Sequence, residues 1–479
     1  MHSKLLLSAL AAAGPAAVSA ETVLGVYVFH RHGDRTSKSY PPTSLTALGA
    51  DEVYSSGTFY RSRYVTKDAD DKISTLSDGA AVLSQLSVTS PVDGVLHNSA
   101  TTFLQGLYPP RGDAGNETLA NGKSVQAPLG GYQYIPVDAI SDAATIEKAE
   151  SNAWLQGNTG CTNAEVSSKN YFNSADFSKT SAESKDFYQS LLPVINSTFS
   201  SGDATFKNAY STSVFDYVNV ASIHNQTIPS GDLVKPAMPR LLTLASIHEW
   251  NLAYNSSEPV RAIAGSVLAG QILGALGALA TGTKGAPTFN AQFGAYGTFM
   301  AFFGLAQMPA ASSDFTGICD YASSMAFELV TNATAGSDGK YNADDLSVRF
   351  FFANGTATSD SFKQWPLFAQ KETTLSWSAF KDGMNQFAIQ DNAHWCSTCG
   401  STSGKCASNG TSTDGGSAST SSSSGSGGVS RPVAGVIGAL VTLAVILGVQ
   451  AAIMLFGGFR LMKKSALRRQ GNAEAGIKA

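Results

Sequence analysis

Thr22–Phe29 (TVLGVYVF) is an unbroken β-branched, aliphatic and aromatic run bounded by a polar, glycine-containing turn, and it predicts a buried strand. Thr46–Tyr64 spaces its apolar residues at helical intervals and carries Arg61 and Arg63 near its end. Leu86–Val88 is a short apolar run ahead of Pro91, and Ser99–Leu107 predicts a helix closing at Tyr108-Pro109-Pro110. Strands alternating with helices point to an α/β sheet with the first strand central. Between about 131 and 285 the pattern changes: helical spacing recurs at Ala182–Ile195, Leu241–Ala253 and Ile263–Leu279, with few strand signals. Strand patterns return at Thr288–Phe293, Ser323–Val330 and Ser347–Phe352. The expected organisation is an α/β core in two parts, 21–130 and 286–406, with a mainly helical cap inserted at 131–285.

Two further apolar stretches have other meanings. Lys4, the run Leu5–Ala13 and the small residues Val18-Ser19-Ala20 form the pattern of a cleaved leader over residues 1–20. Val433–Phe459 has 27 residues without a charge, enough at about 1.5 Å per residue to cross a hydrocarbon core of ~30 Å with some tilt. Before it, in 407–430, 19 of 24 residues are Ser, Thr or Gly, so 407–432 reads as a flexible stalk. After it, Arg460, Lys463, Lys464, Arg468 and Arg469 place the tail 460–479 in the cytosol by the positive-inside rule. Those twenty residues also oppose a lipid-anchor signal, which ends in its hydrophobic tail. The expectation is a single-pass protein of the secretory pathway whose bulk is extracellular or luminal.

Charge sharpens this. The formal net charge is −4, but residues 21–430 carry −11 and residues 431–479 carry +6. An acidic body offers no footprint for nucleic acid, so no DNA or RNA partner is expected, and the membrane is met through the chain's own span. Seven Asn-x-Ser/Thr sequons, at Asn116, Asn196, Asn225, Asn255, Asn332, Asn354 and Asn409, all fall on the expected outer side. Of the five cysteines, Cys396, Cys399 and Cys406 cluster near His394, a grouping that suggests zinc or disulfides; an oxidising compartment favours disulfides. Cys161 pairing into that cluster would cross-link distant parts of the chain, its partner being open, and Cys319 is the candidate for the unpaired thiol.

The first strand runs directly into His30-Arg31-His32-Gly33-Asp34-Arg35-Thr36. The carboxyl end of a central strand is where α/β sheets bind ligands. Two arginines flanking a histidine suit a phosphate ester: guanidinium forks bind phosphoryl oxygens, and an imidazole nitrogen can form a covalent phosphoenzyme.

These residues resemble the Arg-His-Gly-x-Arg signature of the histidine acid phosphatases, the two-domain branch of the histidine phosphatase superfamily. Leu45-Thr46-Ala47-Leu48-Gly49, Arg61-Ser62-Arg63-Tyr64, the stretch Ser99–Pro110 and Phe327-Glu328-Leu329 after Cys319 are similar to family landmarks in the family's order. The resemblance covers most of residues 22–400 and implies a phosphoglycerate-mutase-like sheet flanked by helices. It also implies His32 as nucleophile, Arg31 and Arg35 as phosphate ligands, a phosphate monoester as substrate, and no cofactor or metal. Four family positions differ. Val95 stands where a third phosphate-binding arginine is usual, Ala295 and Tyr296 where a His-Asp pair is usual, and Ser37 where a proline closes the motif.

In the family that aspartate protonates the leaving oxygen, and a positioned general acid supplies about 10²–10⁴ in rate. Its loss would spare aryl phosphates more than sugar phosphates. Tyr296 and the pair His248-Glu249 are candidate substitutes for the acid, against plainer readings as a weak phenolic acid and a helix surface; His97, two residues after Val95, is a candidate to reach the phosphate when protonated, against the plainer reading of a packing histidine. Two functions follow: a membrane-tethered acid phosphomonoesterase, or a non-catalytic cell-surface glycoprotein that keeps the fold and binds a phosphorylated ligand or serves a structural role.

Overall fold

The structure is a computed structural model that describes residues 21–140, 159–210, 214–224, 231–337, 339–402 and 406. The expected leader (1–20), stalk (407–432), membrane span (433–459) and tail (460–479) lie outside the described residues. By its contacts the chain divides after Gly410, and every described residue belongs to the first unit.

Among the described residues ten strands form: β1 (Thr22–Arg31), β2 (Leu86–Pro91), β3 (Asn116–Thr118), β4 (Ser124–Gln126), β5 (Asp138–Ile140), β6 (Phe289–Gly294), β7 (Ser324–Thr331), β8 (Leu346–Ala353), β9 (Lys363–Gln364) and β10 (Thr374–Ser376). The main sheet has the order β10-β8-β7-β1-β6-β2-β5, with β9 paired to β8 and β3-β4 forming a separate hairpin. β1 is central, parallel to β6 on one side and antiparallel to β7 on the other. Because a strand's side chains alternate, Tyr27 and Phe29 enter one hydrophobic cluster while Val26 and Val28 enter another on the opposite face. A strand buried on both faces reads as an unbroken apolar run, the pattern that marks β1 in the sequence.

Of the helices longer than one turn, two cover one face of the sheet, α1 (Ala47–Tyr64) and α2 (Gly94–Leu107), with Tyr60, Tyr64, Leu96, Phe103 and Leu107 in the cluster beneath them. α2 begins five residues before the predicted Ser99, because Asp93 caps it, its Oδ1 accepting from the amides of Val95 and Leu96 at 2.8 Å. Between β5 and β6 come α3 (Thr162–Asn170), α4 (Ala175–Ser190), α5 (Val214–His224), α6 (Gly231–Ala253) and α7 (Ile263–Ala280). The pattern over Ala182–Ile195 predicts one helix, but α4 stops at Ser190 and a separate turn holds Leu192–Ile195, since Pro193 has no amide to continue the ladder. α6 starts ten residues before the predicted Leu241 and contains Pro236 and Pro239, which mask its start in the sequence.

Helices α4 to α6 surround a cluster of their own, including Tyr188, Phe206, Tyr210, Phe215 and Leu241, which also takes Met300 and Ile318 from the sheet side. The opposite face of the sheet is covered by α7, α8 (Tyr296–Leu305) and α9 (Trp377–Asn385), through Leu268, Ile272, Phe299, Phe303 and Phe380. Among the described residues one segment, Pro259–Ala280, is long and apolar enough to cross a membrane. Its Leu268, Ile272 and Leu276 are fully buried in the cluster with Tyr27 and Phe29, the behaviour of a core helix. Cys161 bonds to Cys399 and Cys396 to Cys406, with Cys399 in α10 (Asn392–Cys399) and Cys319 a buried free thiol. Both bridges consume the thiols that would ligate zinc beside the exposed His394.

Candidate active site

The loop that follows β1 is held from three sides. The Arg31 amide donates to Ser323 O at 2.7 Å and Ala322 donates to His32 O at 2.9 Å, fixing the loop against the segment entering β7. Gly33 N donates to Ser99 Oγ of α2 at 3.2 Å, and Asp34 N to Glu52 Oε2 of α1 at 2.8 Å. Gly33 and Gly49 permit this approach: a Cβ on Gly33 would stand 2.2 Å from Gly49 O, and one on Gly49 would stand 2.1 Å from Asp34 O. Thr46 joins the two elements, accepting from Gly49 N at 3.0 Å as the cap of α1 and donating to Asp34 Oδ2 at 2.5 Å.

His32 is buried, and its Nδ1 lies 2.8 Å from Gly33 O. A carbonyl only accepts, so Nδ1 carries the proton and Nε2 presents a lone pair. Burial pushes the ring's pKa well below the usual histidine value, and the Arg31 and Arg35 charges push the same way. Both effects favour the neutral ring. Arg31 donates through Nη1 to Cys319 O and through Nη2 to Tyr210 Oη at 3.4 Å, with its guanidinium 4.5 Å from the Tyr321 ring centre. Arg35 donates to Thr36 O at 3.0 Å and pairs with Asp216 Oδ1 at 2.8 Å. The Nε–H groups of both arginines are buried without a hydrogen-bond partner among the described residues. Tyr321 lies against all three side chains, 5.6 Å from the His32 ring and 6.0 Å from the Arg35 guanidinium.

Asp216 comes from α5. Besides the Arg35 pair, its Oδ2 accepts from Ser37 Oγ at 2.8 Å and from the Lys38 amide at 2.9 Å. A cavity of about 350 Å³ opens between α5, α6 and the segment 318–321, lined by Arg31, Tyr210, Phe215, Asp216, Met238 and Tyr321 among others. A second contact from α5 reaches the loop, where His224 Nε2 lies 2.5 Å from Asp34 Oδ2.

The other residues singled out in the sequence fall elsewhere. Val95 is buried in the first turn of α2 and offers no charge. Ala295 precedes α8 and makes no side-chain cap. Tyr296 donates its hydroxyl proton to Glu249 Oε2 at 2.5 Å, with its ring 5.5 Å from the Arg31 guanidinium. His248 and Glu249 are not on a helix surface: both are buried, joined Nδ1 to Oε1 at 2.7 Å, with the His248 ring packed among Tyr171, Phe172 and Phe206. His97 faces Ser90 Oγ at 3.1 Å and does not line the cavity. The sequence reading passed over Asp216, Tyr321, Tyr210 and His224. Asp216 alone left a signal, a single carboxylate inside the apolar run Val214–Val220.

No curated protein matches this chain. Among solved structures, it is similar to the phytase from Citrobacter braakii, at 12% identity over 79% of this chain and 99% of that one, with a TM-score of 0.49. It is similar also to the Hafnia alvei phytase in complex with tartrate, at 14% identity over 80% and 99%, TM-score 0.49. The Bifidobacterium longum multiple inositol polyphosphate phosphatase complex with phosphate aligns at 14% identity over 79% and 96%, TM-score 0.40. The sequence model of histidine phosphatase superfamily branch 2 matches residues 40–352, a span that starts just beyond the Arg31–Arg35 loop. On that match, which takes in most of the described fold, the chain belongs to the histidine phosphatase superfamily, branch 2.

Proposed function

We propose that this protein is an acid phosphomonoesterase that hydrolyses phosphate monoesters through a phosphohistidine at His32. The observation that carries the reading is the His32 imidazole, neutral, with Nδ1–H committed to Gly33 O and Nε2 free to attack, between two buried arginines whose Nε–H groups are unmatched. A buried donor without an acceptor costs about 1–3 kcal/mol, which phosphoryl oxygens bound by Arg31 and Arg35 would recover. In the first step the Nε2 lone pair attacks phosphorus, the ester P–O bond breaks and the leaving oxygen takes a proton. In the second, water attacks, the P–N bond breaks and inorganic phosphate leaves. Position 296 is a tyrosine whose proton is held by Glu249, so alkyl leaving groups depend on a proton from elsewhere in the site. We also propose that the enzyme is tethered, after loss of residues 1–20, by residues 433–459, with its active site luminal or extracellular and the acidic body glycosylated.

One observation favours the second reading. Arg35, a phosphate ligand by the motif, is paired with a carboxylate of the protein itself. A non-catalytic descendant that binds a phosphorylated ligand, or only keeps the scaffold, would tolerate that pairing. The full-length chain, assayed with p-nitrophenyl phosphate and a sugar phosphate from pH 3 to 7 beside His32→Ala, separates the two. Turnover by the wild type that falls at least about a thousandfold in the variant supports the enzyme. No turnover, or equal turnover in the variant, removes His32 from the chemistry.

A further inference from the structure

We propose that Asn354 carries an N-linked glycan whose first sugar seats in an aromatic cavity behind Cys319; this rests on the secretory-pathway reading above. Asn354 directly follows β8, opens the sequence Asn354-Gly355-Thr356 and is exposed. Its Oδ1 accepts from the Asp320 amide at 2.8 Å and from Ser323 Oγ at 3.2 Å. The side-chain amide is oriented through its oxygen, and Nδ2 donates no hydrogen bond among the described residues. N-linkage replaces one Nδ2 hydrogen and leaves Oδ1 an acceptor, so the modified residue keeps both bonds.

A cavity of about 290 Å³ is lined by Asn354 together with Phe315, Phe352 and Trp365. The three rings form one wall, Phe315 standing 5.5 Å from Phe352 and 5.0 Å from Trp365. Asp314 and Asp360 line the same cavity. Ring faces beside carboxylates suit a pyranose, whose C–H face lies on aromatic carbon while its hydroxyl and acetamido groups donate to the acids. Asn332, an exposed sequon residue, supplies the contrast, because the cavity it borders has no aromatic ring.

The segment next to Asn354 is part of the active site. Ile318 and Cys319 line this cavity and also the one that holds Arg31, so they form a partition between the two. Cys319 O accepts from Arg31 Nη1, and Asp320 and Ser323, both held by Asn354, flank the Tyr321 that lies against the Arg31 guanidinium. A sugar in the aromatic cavity covers the outer face of that partition and stabilises it. To form the link, Nδ2 bonds to the anomeric carbon of an N-acetylhexosamine. The bond from that carbon to an oxygen of a lipid diphosphate donor breaks, and the proton lost from Nδ2 leaves with the lipid diphosphate.

The test produces the full-length chain in a eukaryotic secretory host and maps Asn-linked sugar by mass spectrometry of its peptides. Asn354 is expected to be occupied. Thr356→Ala, which removes the sequon but keeps Asn354 and its two bonds, is expected to lower the melting temperature by at least about 2 °C, whereas Thr334→Ala, which clears Asn332, should change it by less than about 1 °C. Trp365→Ala should cost less in the Thr356→Ala background than in the wild type, because the ring has then already lost its sugar. If Thr356→Ala does not fold, enzymatic removal of the whole glycan from the folded wild type replaces it, with a fall in melting temperature that is absent in Trp365→Ala and absent when the glycan is only trimmed to its first sugar. Unmodified Asn354 in a chain glycosylated at other sequons overturns the proposal and leaves the secretory reading standing; sugar at no sequon overturns that reading as well. An occupied Asn354 whose removal leaves the melting temperature unchanged, or losses that add with Trp365→Ala, marks a glycan in open solvent and overturns the seating.

Discussion

The Tyr296 hydroxyl donates to Glu249 Oε2 over 2.5 Å, while the other oxygen of that carboxylate meets His248 Nδ1 at 2.7 Å. The residue standing where an acid is expected is therefore bound into the packing between α8 and α6, and its ring meets that of Tyr210 at 4.6 Å. Tyr296→Phe removes one of two polar partners of a buried carboxylate, and is expected to cost about 1–3 kcal/mol in urea unfolding. The alkyl-to-aryl ratio of rates should not move. A fall in that ratio would return Tyr296 to the reaction.

His30 gives the fold a pH dependence. Its ring is fully buried between Phe293 and Phe103, its Nδ1 is bonded to Arg31 O, and burial lowers its pKa to about 4. The unfolded ring takes up a proton near pH 6.5 and the folded ring does not until about pH 4, so this contribution is present above 6.5 and is lost as pH falls between those values. His32 is shifted in the same direction and adds to the loss. Urea unfolding at pH 7 and pH 4 should show His30→Phe losing less stability on acidification than the wild type, by up to about 3 kcal/mol.

At Gly49 a Cβ would meet Asp34 O at 2.1 Å and Asp34 N at 2.5 Å, both backbone atoms. Gly49→Ala must push the loop away from α1. The expected result is a loss of about 1–3 kcal/mol in stability together with lower turnover, measured by urea unfolding and the aryl phosphate assay. Unchanged turnover would mean that the loop's seat on α1 does not set the geometry of His32.

The two disulfides close loops of different size, 238 residues for Cys161–Cys399 and 10 for Cys396–Cys406. On chain-entropy grounds removing the first is expected to cost about 5 kcal/mol and the second about 3 kcal/mol. Melting of Cys161→Ala/Cys399→Ala and Cys396→Ala/Cys406→Ala without reductant checks the order.

Much of this was legible in the sequence. β1 announced itself because a central strand is apolar on both faces, and Arg31, His32 and Arg35 because the loop follows it directly. The helix start at Gly94 was hidden because Asp93, which caps it, lies outside the apolar pattern, and Pro236 and Pro239 concealed the start of α6. The contribution of α5 and α6 to the site was not legible for a different reason. Asp216 meets Arg35 across 181 residues of sequence, and His248-Glu249 looks like a polar step in a helix until Tyr296 and three aromatic rings are seen around it. Local periodicity reports burial along one element, whereas these pairings exist only once α5 and α6 are packed beside the sheet.

The central claim is a covalent bond from His32 Nε2 to phosphorus. Mixing the full-length protein with p-nitrophenyl phosphate carrying a labelled phosphoryl group and quenching in alkali tests it directly. The account predicts protein-bound label that survives base, is released by acid, maps to His32 and is absent from His32→Ala. Turnover with no bound label, or label retained in His32→Ala, would contradict it.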